Sequence, residues 1–154
     1  LNSWIKNGSE VARPLQRSLR NIMWEYGGVV KNKEKLEKGL SEIEGLKESS
    51  KNLDVRPDSE GYQDLMLAFD LEASIASSEA TLKSALNREE SRGAHQRDDF
   101  KDLSENGNVN IRVELDDNKE IKLSKKEIPQ LEKKLKNLIN KTVEIDNFEG
   151  MLLE

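Results

Sequence analysis

The chain contains no cysteine, which excludes disulfides, thiolate metal sites and iron-sulfur ligation by its own residues. It has a single histidine, too few imidazoles for the usual zinc ligand sets. No apolar run approaches the roughly 20 residues a membrane-spanning helix needs, and no charged-then-apolar leader opens the chain. Direct membrane insertion is therefore not expected, and a cytoplasmic setting is. The net charge of −5 comes from interspersed signs, so the basic stripe of a nucleic-acid binder is missing. Also missing are the closely spaced glycines that follow a strand in dinucleotide-binding folds. Gly27-Gly28 is the only glycine pair and lies between two helical patterns. The chain itself is therefore expected to hold no cofactor.

What is present favours helices. Charged residues make up 36% of the chain and hydrophobic ones 34%, so the core must come from narrow stripes on long elements. Pro14 suits a helix's first turn, and Leu15, Leu19, Ile22 and Met23 share one face of a helix that stops at Gly27-Gly28. Met23, Trp24 and Tyr26 read as packing residues. Asn32 is a candidate cap for a second helix with Leu36, Leu40, Ile43 and Leu46 as its stripe. Gly39, Gly45 and Ser49-Ser50 interrupt any sustained heptad, which favours an intramolecular bundle over a coiled coil. A third helix is predicted from Ser59 to about Asn87, with two apolar faces. Tyr62, Leu65, Met66, Phe69, Ala73, Ala76 and Ala80 mark one; Leu67, Leu71, Ile75, Leu82 and Leu86 mark the other. The first is expected to meet the other two helices. The second is then left for a partner, so that Leu67, Leu71 and Ile75 would be partly uncovered and the isolated chain would dimerise weakly.

Beyond Phe100 the pattern changes. Val109, Ile111, Val113 and Leu115 alternate with polar residues, and so do Ile121 and Leu123 after a turn at Asp116-Asp117-Asn118-Lys119, which predicts a β-hairpin. Pro129 opens a last helix bearing Leu131, Leu135, Leu138 and Ile139; 142–154 reads as a docked tail or short strand. The predicted architecture is mainly α: a three-helix up-and-down bundle, spectrin-repeat-like, over 1–100, with a small α+β appendage over 101–154.

The most specific segment is Glu90-Ser91-Arg92-Gly93-Ala94-His95-Gln96-Arg97-Asp98-Asp99-Phe100. Gly93 is expected to end the third helix and to aim the flanking charges outward. Together with the upstream Leu15-Gln16, Met23 and Gly28-Val29-Val30 series, this run resembles the C-terminal helical domain of the succinate dehydrogenase and fumarate reductase flavoprotein family. The resemblance covers roughly 13–100. The chain departs from it after Phe100, where a proline and paired acids are missing.

That resemblance implies an excised C-terminal portion of a larger FAD-dependent enzyme that interconverts succinate and fumarate and passes electrons to an iron-sulfur subunit. The parent complex would sit peripherally on the cytoplasmic side of a membrane. It implies no catalytic, cofactor-binding or metal-binding residue in this portion. Its role would be to brace the flavin-binding domain of the same polypeptide, with Arg92, His95, Arg97, Asp98 and Asp99 at the interface. The alternatives are the equivalent domain of L-aspartate oxidase and a stand-alone helical interaction module.

Overall fold

A computed structural model of the chain describes residues 8–56 and 62–138. The segments 1–7, 57–61 and 139–154, and with them the expected helix start at Ser59, Ile139 and the tail, lie outside the described residues.

Three helices carry the fold: α1 (Ala12–Tyr26), α2 (Lys33–Ser50) and α3 (Gln63–Asn87). Each boundary has a local cause. The Gly27 N–H closes the last turn of α1 on the Met23 carbonyl at 2.9 Å. The Asn32 side chain caps α2 by accepting from the Lys35 N–H at 2.9 Å, satisfying one of the donors a helix start leaves without a partner. At the other end of α2, Glu10 and Leu53 form a bridge that ties the entry of α1 to the exit of α2. Two short strands, β1 (Val30–Lys31) and β2 (Gln96–Arg97), pair in parallel. They bring the chain leaving α3 back to the α1–α2 connection, so the helices run up, down and up.

The core lies where the three stripes meet. Leu19 of α1, Leu36, Ile43 and Leu46 of α2, and Ala68, Leu71, Ile75, Leu82 and Ala85 of α3 are all buried. Gly39 lets the helices approach closely: a Cβ there would stand 2.7 Å from the Tyr26 Cβ and 2.8 Å from a Leu82 methyl.

Two expectations are corrected. The buried face of α3 is the one bearing Leu71, Ile75 and Leu82, while Tyr62, Met66 and Phe69 are exposed. Leu71, Ile75 and Leu82 join Leu19 of α1 and Leu36, Ile43 and Leu46 of α2 in one buried cluster, the branched side chains at these positions meeting the stripes of both helices. Trp24, expected to pack, is 85% exposed at the end of α1.

The hairpin forms as its alternation predicts, with β3 (Val109–Leu115) and β4 (Ile121–Glu127) antiparallel and Val113 opposite Leu123. Its turn is built on Asp116, whose carboxylate accepts the Asn118 and Glu120 N–H groups, both at 2.9 Å. A helical segment follows over 133–138, beginning four residues after Pro129 and not at it; Leu131 before it and Leu135 and Leu138 within it are about half exposed. No helix among the described residues is long and apolar enough to cross a membrane.

Candidate functional site

At the end of the bundle where α1 passes into α2, residues 88–100 form a knot of charges. Helix α3 ends at Asn87, not at Gly93. Arg88 is already extended, and Gly93 instead sits in a tight two-residue turn, with φ +56°. The turn is closed by reciprocal bonds between Arg92 and His95: Arg92 N–H to the His95 carbonyl at 2.8 Å and His95 N–H to the Arg92 carbonyl at 3.0 Å. Gly93 is thus needed for the left-handed backbone of the turn, a conformation that costs L side chains energy.

Arg97 is the centre of the knot. Although charged and in the two-residue strand β2, it is 2% exposed. Its Nη1 donates to the carbonyls of Ala85 (2.9 Å), Leu86 (3.3 Å) and Arg88 (3.2 Å), which belong to the last turn of α3 or follow it. These are acceptors that a helix end leaves without intrahelical partners, and the negative end of the helix dipole favours a cation there. Its Nε and Nη2 donate to the two oxygens of Asp99, both at 2.7 Å, in a bidentate pair. Asp99 in turn accepts the Lys33 N–H at 2.9 Å, the first donor of α2. One ion pair therefore joins the C-terminus of α3 to the N-terminus of α2, with each charge at the helix end that favours it. Phe100 lies over the guanidinium, 4.9 Å from ring centroid to Cζ. The Arg97 partnership and the Lys33 N–H hold the Asp99 carboxyl down to about 2, against the opposing effect of burial.

A second arginine–acid cluster fastens the hairpin to the bundle. The Glu90 carboxylate is fully buried and accepts from Arg92 Nε at 3.0 Å, from the Ser104 N–H at 3.0 Å and from Arg88. Arg92, in first place, and these other donors outweigh desolvation and bring the carboxyl down to about 2. Arg88 also donates to the carbonyls of Gly107 (2.9 Å) and Val109 (2.7 Å), where β3 begins. Gly107 packs directly on the carboxylate, so that a Cβ there would collide with Glu90 Oε2. Ser91 completes the knot, its Oγ accepting the Arg97 N–H at 2.8 Å and lying 2.8 Å from the Phe100 carbonyl.

The five residues expected at an interface are thus brought together, but they are not equally outward. Arg97 and Asp99 are bonded to one another inside the chain, and Arg92 holds Glu90. Asp98 is exposed and reaches the Asn32 amide at 3.4 Å, while its N–H donates to the Lys31 carbonyl at 2.9 Å. His95 is half-buried, with Nε2 at 3.2 Å from the Arg88 carbonyl. Burial first, then the charges of Lys31, Arg97 and Arg88, push its pKa below the usual imidazole value, although the Arg88 carbonyl opposes them. Its ring therefore tends to the neutral form at pH 7. Among the described residues no three acidic or histidine side chains gather as a metal site would require.

Sequence reasoning missed Arg88 and Glu90 as partners, and Gly107 as more than a turn residue. Their signal was present only as charge: an arginine and a glutamate immediately before the Ser-Arg-Gly-Ala-His run, with a glycine in the following loop. Nothing local tells that these charges turn inward.

The sequence pattern described as fumarate reductase flavoprotein C-term matches residues 16–148. Among curated relatives, the chain is 31% identical over 93 residues to the fumarate reductase flavoprotein subunit of Proteus vulgaris, covering 60% of this chain and 16% of that one. It is also 33% identical over 104 residues to the succinate dehydrogenase flavoprotein subunit of Coxiella burnetii, covering 66% of this chain and 18% of that one. An L-aspartate oxidase of Pyrococcus abyssi is 37% identical over 83 residues, or 54% of this chain and 13% of the relative. The chain thus spans less than a fifth of the length of these relatives. Among solved structures, the Mycobacterium smegmatis Sdh1 complex superposes with a TM-score of 0.74 at 25% identity, over 83% of this chain and 23% of that one.

Proposed function

We propose, since the chain belongs to the fumarate reductase flavoprotein C-terminal family, that it is the helical portion of a parent subunit that binds FAD and interconverts succinate and fumarate. Its own contribution is mechanical. It braces the flavin-binding domain of the same polypeptide and adds to the contact surface with an iron-sulfur subunit, in a complex lying peripherally on the cytoplasmic side of a membrane.

The observation that carries this reading is the match over residues 16–148, which includes the whole arginine–acid knot. The knot gives the reading its physics. A bundle whose end is cross-linked by buried ion pairs keeps its shape while presenting what lies around that end. There Trp24, Val29 and Val30 are exposed, an apolar rim beside the outward Asp98. An uncovered rim of this kind, bordered by charge, is how interaction surfaces look. In this reading Asp98, Arg92 and the edge of His95 face the flavin-binding domain, and Arg97 and Asp99 act behind them as a positioning pair. Residues 1–100 form the bracing bundle and 101–154 a smaller unit, fastened by Arg88 and Glu90.

The test is to express the complete reading frame from which the chain comes. The purified subunit is expected to carry FAD and to reduce an artificial electron acceptor with succinate. Turnover with L-aspartate but not with succinate would move the assignment to the aspartate oxidase relatives. A reading frame with no flavin-binding portion would leave a stand-alone helical interaction module.

A further inference from the structure

Beside the knot, between α3 and the hairpin, lies a concavity of about 460 Å³ lined by Lys31, Ser84, Arg88, His95, Ile111 and Val113 among others. Its lining is mixed. Lys31, Arg88, His95, Thr81 and Ser84 are its charged or polar residues; Ala80 and Ala85 of α3 with Ile111 and Val113 of β3 are its aliphatic ones.

Lys31 is the unusual member. It is partly buried, and burial lowers its pKa. Yet among the described residues its Nζ donates only to the Val29 carbonyl, at 3.2 Å, and no carboxylate stands within ion-pair distance. The arginines of the knot have acids: Arg88 and Arg92 have Glu90, and Arg97 has Asp99. The strongest charges acting on His95 come from Lys31, Arg97 and Arg88. The Ser84 hydroxyl, one helical turn before Arg88, has no hydrogen-bond partner among the described residues. A partly desolvated cation without a counter-ion is costly, and a carboxylate that reached it would form a charge-assisted bond strengthened by the reduced dielectric.

We propose that this concavity is a receptor for a carboxylate on a short aliphatic stem, its oxygens held by Lys31 and Ser84 beside His95 and its stem lying on Ile111 and Val113. The aliphatic residues of the lining distinguish this ligand from inorganic phosphate, which offers no apolar surface to bury and would leave them wet. Such a carboxylate can come from a free small acid or from a glutamate of another segment. The inference rests on this chain's own geometry and not on the flavoprotein reading.

The single histidine makes the test direct, because the imidazole resonances of the full chain report on one residue only. The chain is titrated with butyrate, with N-acetylglutamate amide and, at matched ionic strength, with sodium chloride and sodium phosphate, while His95 and the Lys31 ammonium are followed by NMR. Saturable shifts with either carboxylate are expected, at concentrations where chloride and phosphate give none. Tighter binding of butyrate would name a free acid as the source; tighter binding of the blocked glutamate would name a side chain. Lys31→Met should weaken binding at least about tenfold, as loss of one charge-assisted bond of roughly 1.4 kcal/mol requires. Should that variant fold poorly by circular dichroism, Ser84→Ala, which leaves the ammonium in place, should still weaken binding severalfold. Shifts of equal size with chloride, or shifts unchanged in both variants, would overturn the proposal.

Discussion

Replacing Arg97 by alanine tests the reading of the knot most sharply, because sequence and structure lead to opposite outcomes. A charged loop residue aimed outward would contribute within about 0.5 kcal/mol, as surface substitutions generally do. In the structure, the guanidinium is buried with a bidentate acid and three backbone carbonyls. Breaking a buried pair by removing one partner costs about 3–5 kcal/mol, because the other charge is left behind. Two circumstances place Arg97→Ala toward the lower part of that range. Asp99 is itself partly exposed, its side chain at 28%, so water can reach its carboxylate once the arginine is gone; and it keeps the Lys33 N–H. The carbonyls of Ala85, Leu86 and Arg88 lose a donor in a less accessible place. The expected loss is therefore about 3 kcal/mol, which for a domain of this size lowers Tm by roughly 6–12 °C. Urea unfolding followed by far-UV circular dichroism measures it directly. Arg97→Lys keeps the charge but not the fork, and should recover only part of the loss. With Asp99→Asn, the double-mutant cycle should return a coupling of about 1–3 kcal/mol. A loss below about 0.5 kcal/mol for Arg97→Ala, with the fold retained, would refute the knot as an internal fastening.

The remaining predictions use the same geometry. Gly107→Ala should destabilise by about 1–3 kcal/mol, the usual cost of forcing atoms into a packed site, and should loosen the hairpin first, seen as faster amide exchange over 109–127. Glu90 and Asp99 both titrate at about 2 in the folded chain, below ordinary carboxylates, so the stability they supply is present above about pH 4–5 and is lost as pH falls toward 2. Glu90→Gln should flatten that part of an acid-unfolding profile, and an unchanged slope would count against the buried carboxylate. The exposed Met66 and Phe69 should make the chain self-associate weakly at high concentration; sedimentation of Phe69→Ser should show less dimer than the parent chain, and equal dimerisation would move the contact elsewhere.

What could be read from the sequence divides along a physical line. Asn32 as a helix cap, Gly27 as a stop, and the hairpin with its Asp116 turn all depend on groups within a few residues of one another, and each was legible. Which face of α3 enters the core was not, because both faces carry enough apolar surface and the choice depends on the groove that α1 and α2 make together. The knot was least legible. Arg97 finds its carbonyls 9–12 residues earlier and Asp99 finds the Lys33 N–H 66 residues earlier, and no periodicity encodes such pairings. So many charges around a glycine are improbable on a solvated helix face, which marks the run in the sequence; the structure gathers its charges but turns Arg97 inward, not outward. The difference matters for how such a domain could act on a neighbour. Charges that reached outward would bind that neighbour themselves; Arg97 and Asp99 instead fix the angle between α2 and α3. A substitution in the knot should therefore act at a distance, by loosening the rim of Trp24, Val29 and Val30 without removing a contact from it. On the proposed function, the two cases separate in the parent subunit. A lost contact weakens association with the flavin-binding portion equally at all temperatures where the bundle is folded. A lost fastening leaves association near normal in the cold and makes it fail at lower temperatures than in the unaltered subunit, in step with unfolding of the bundle.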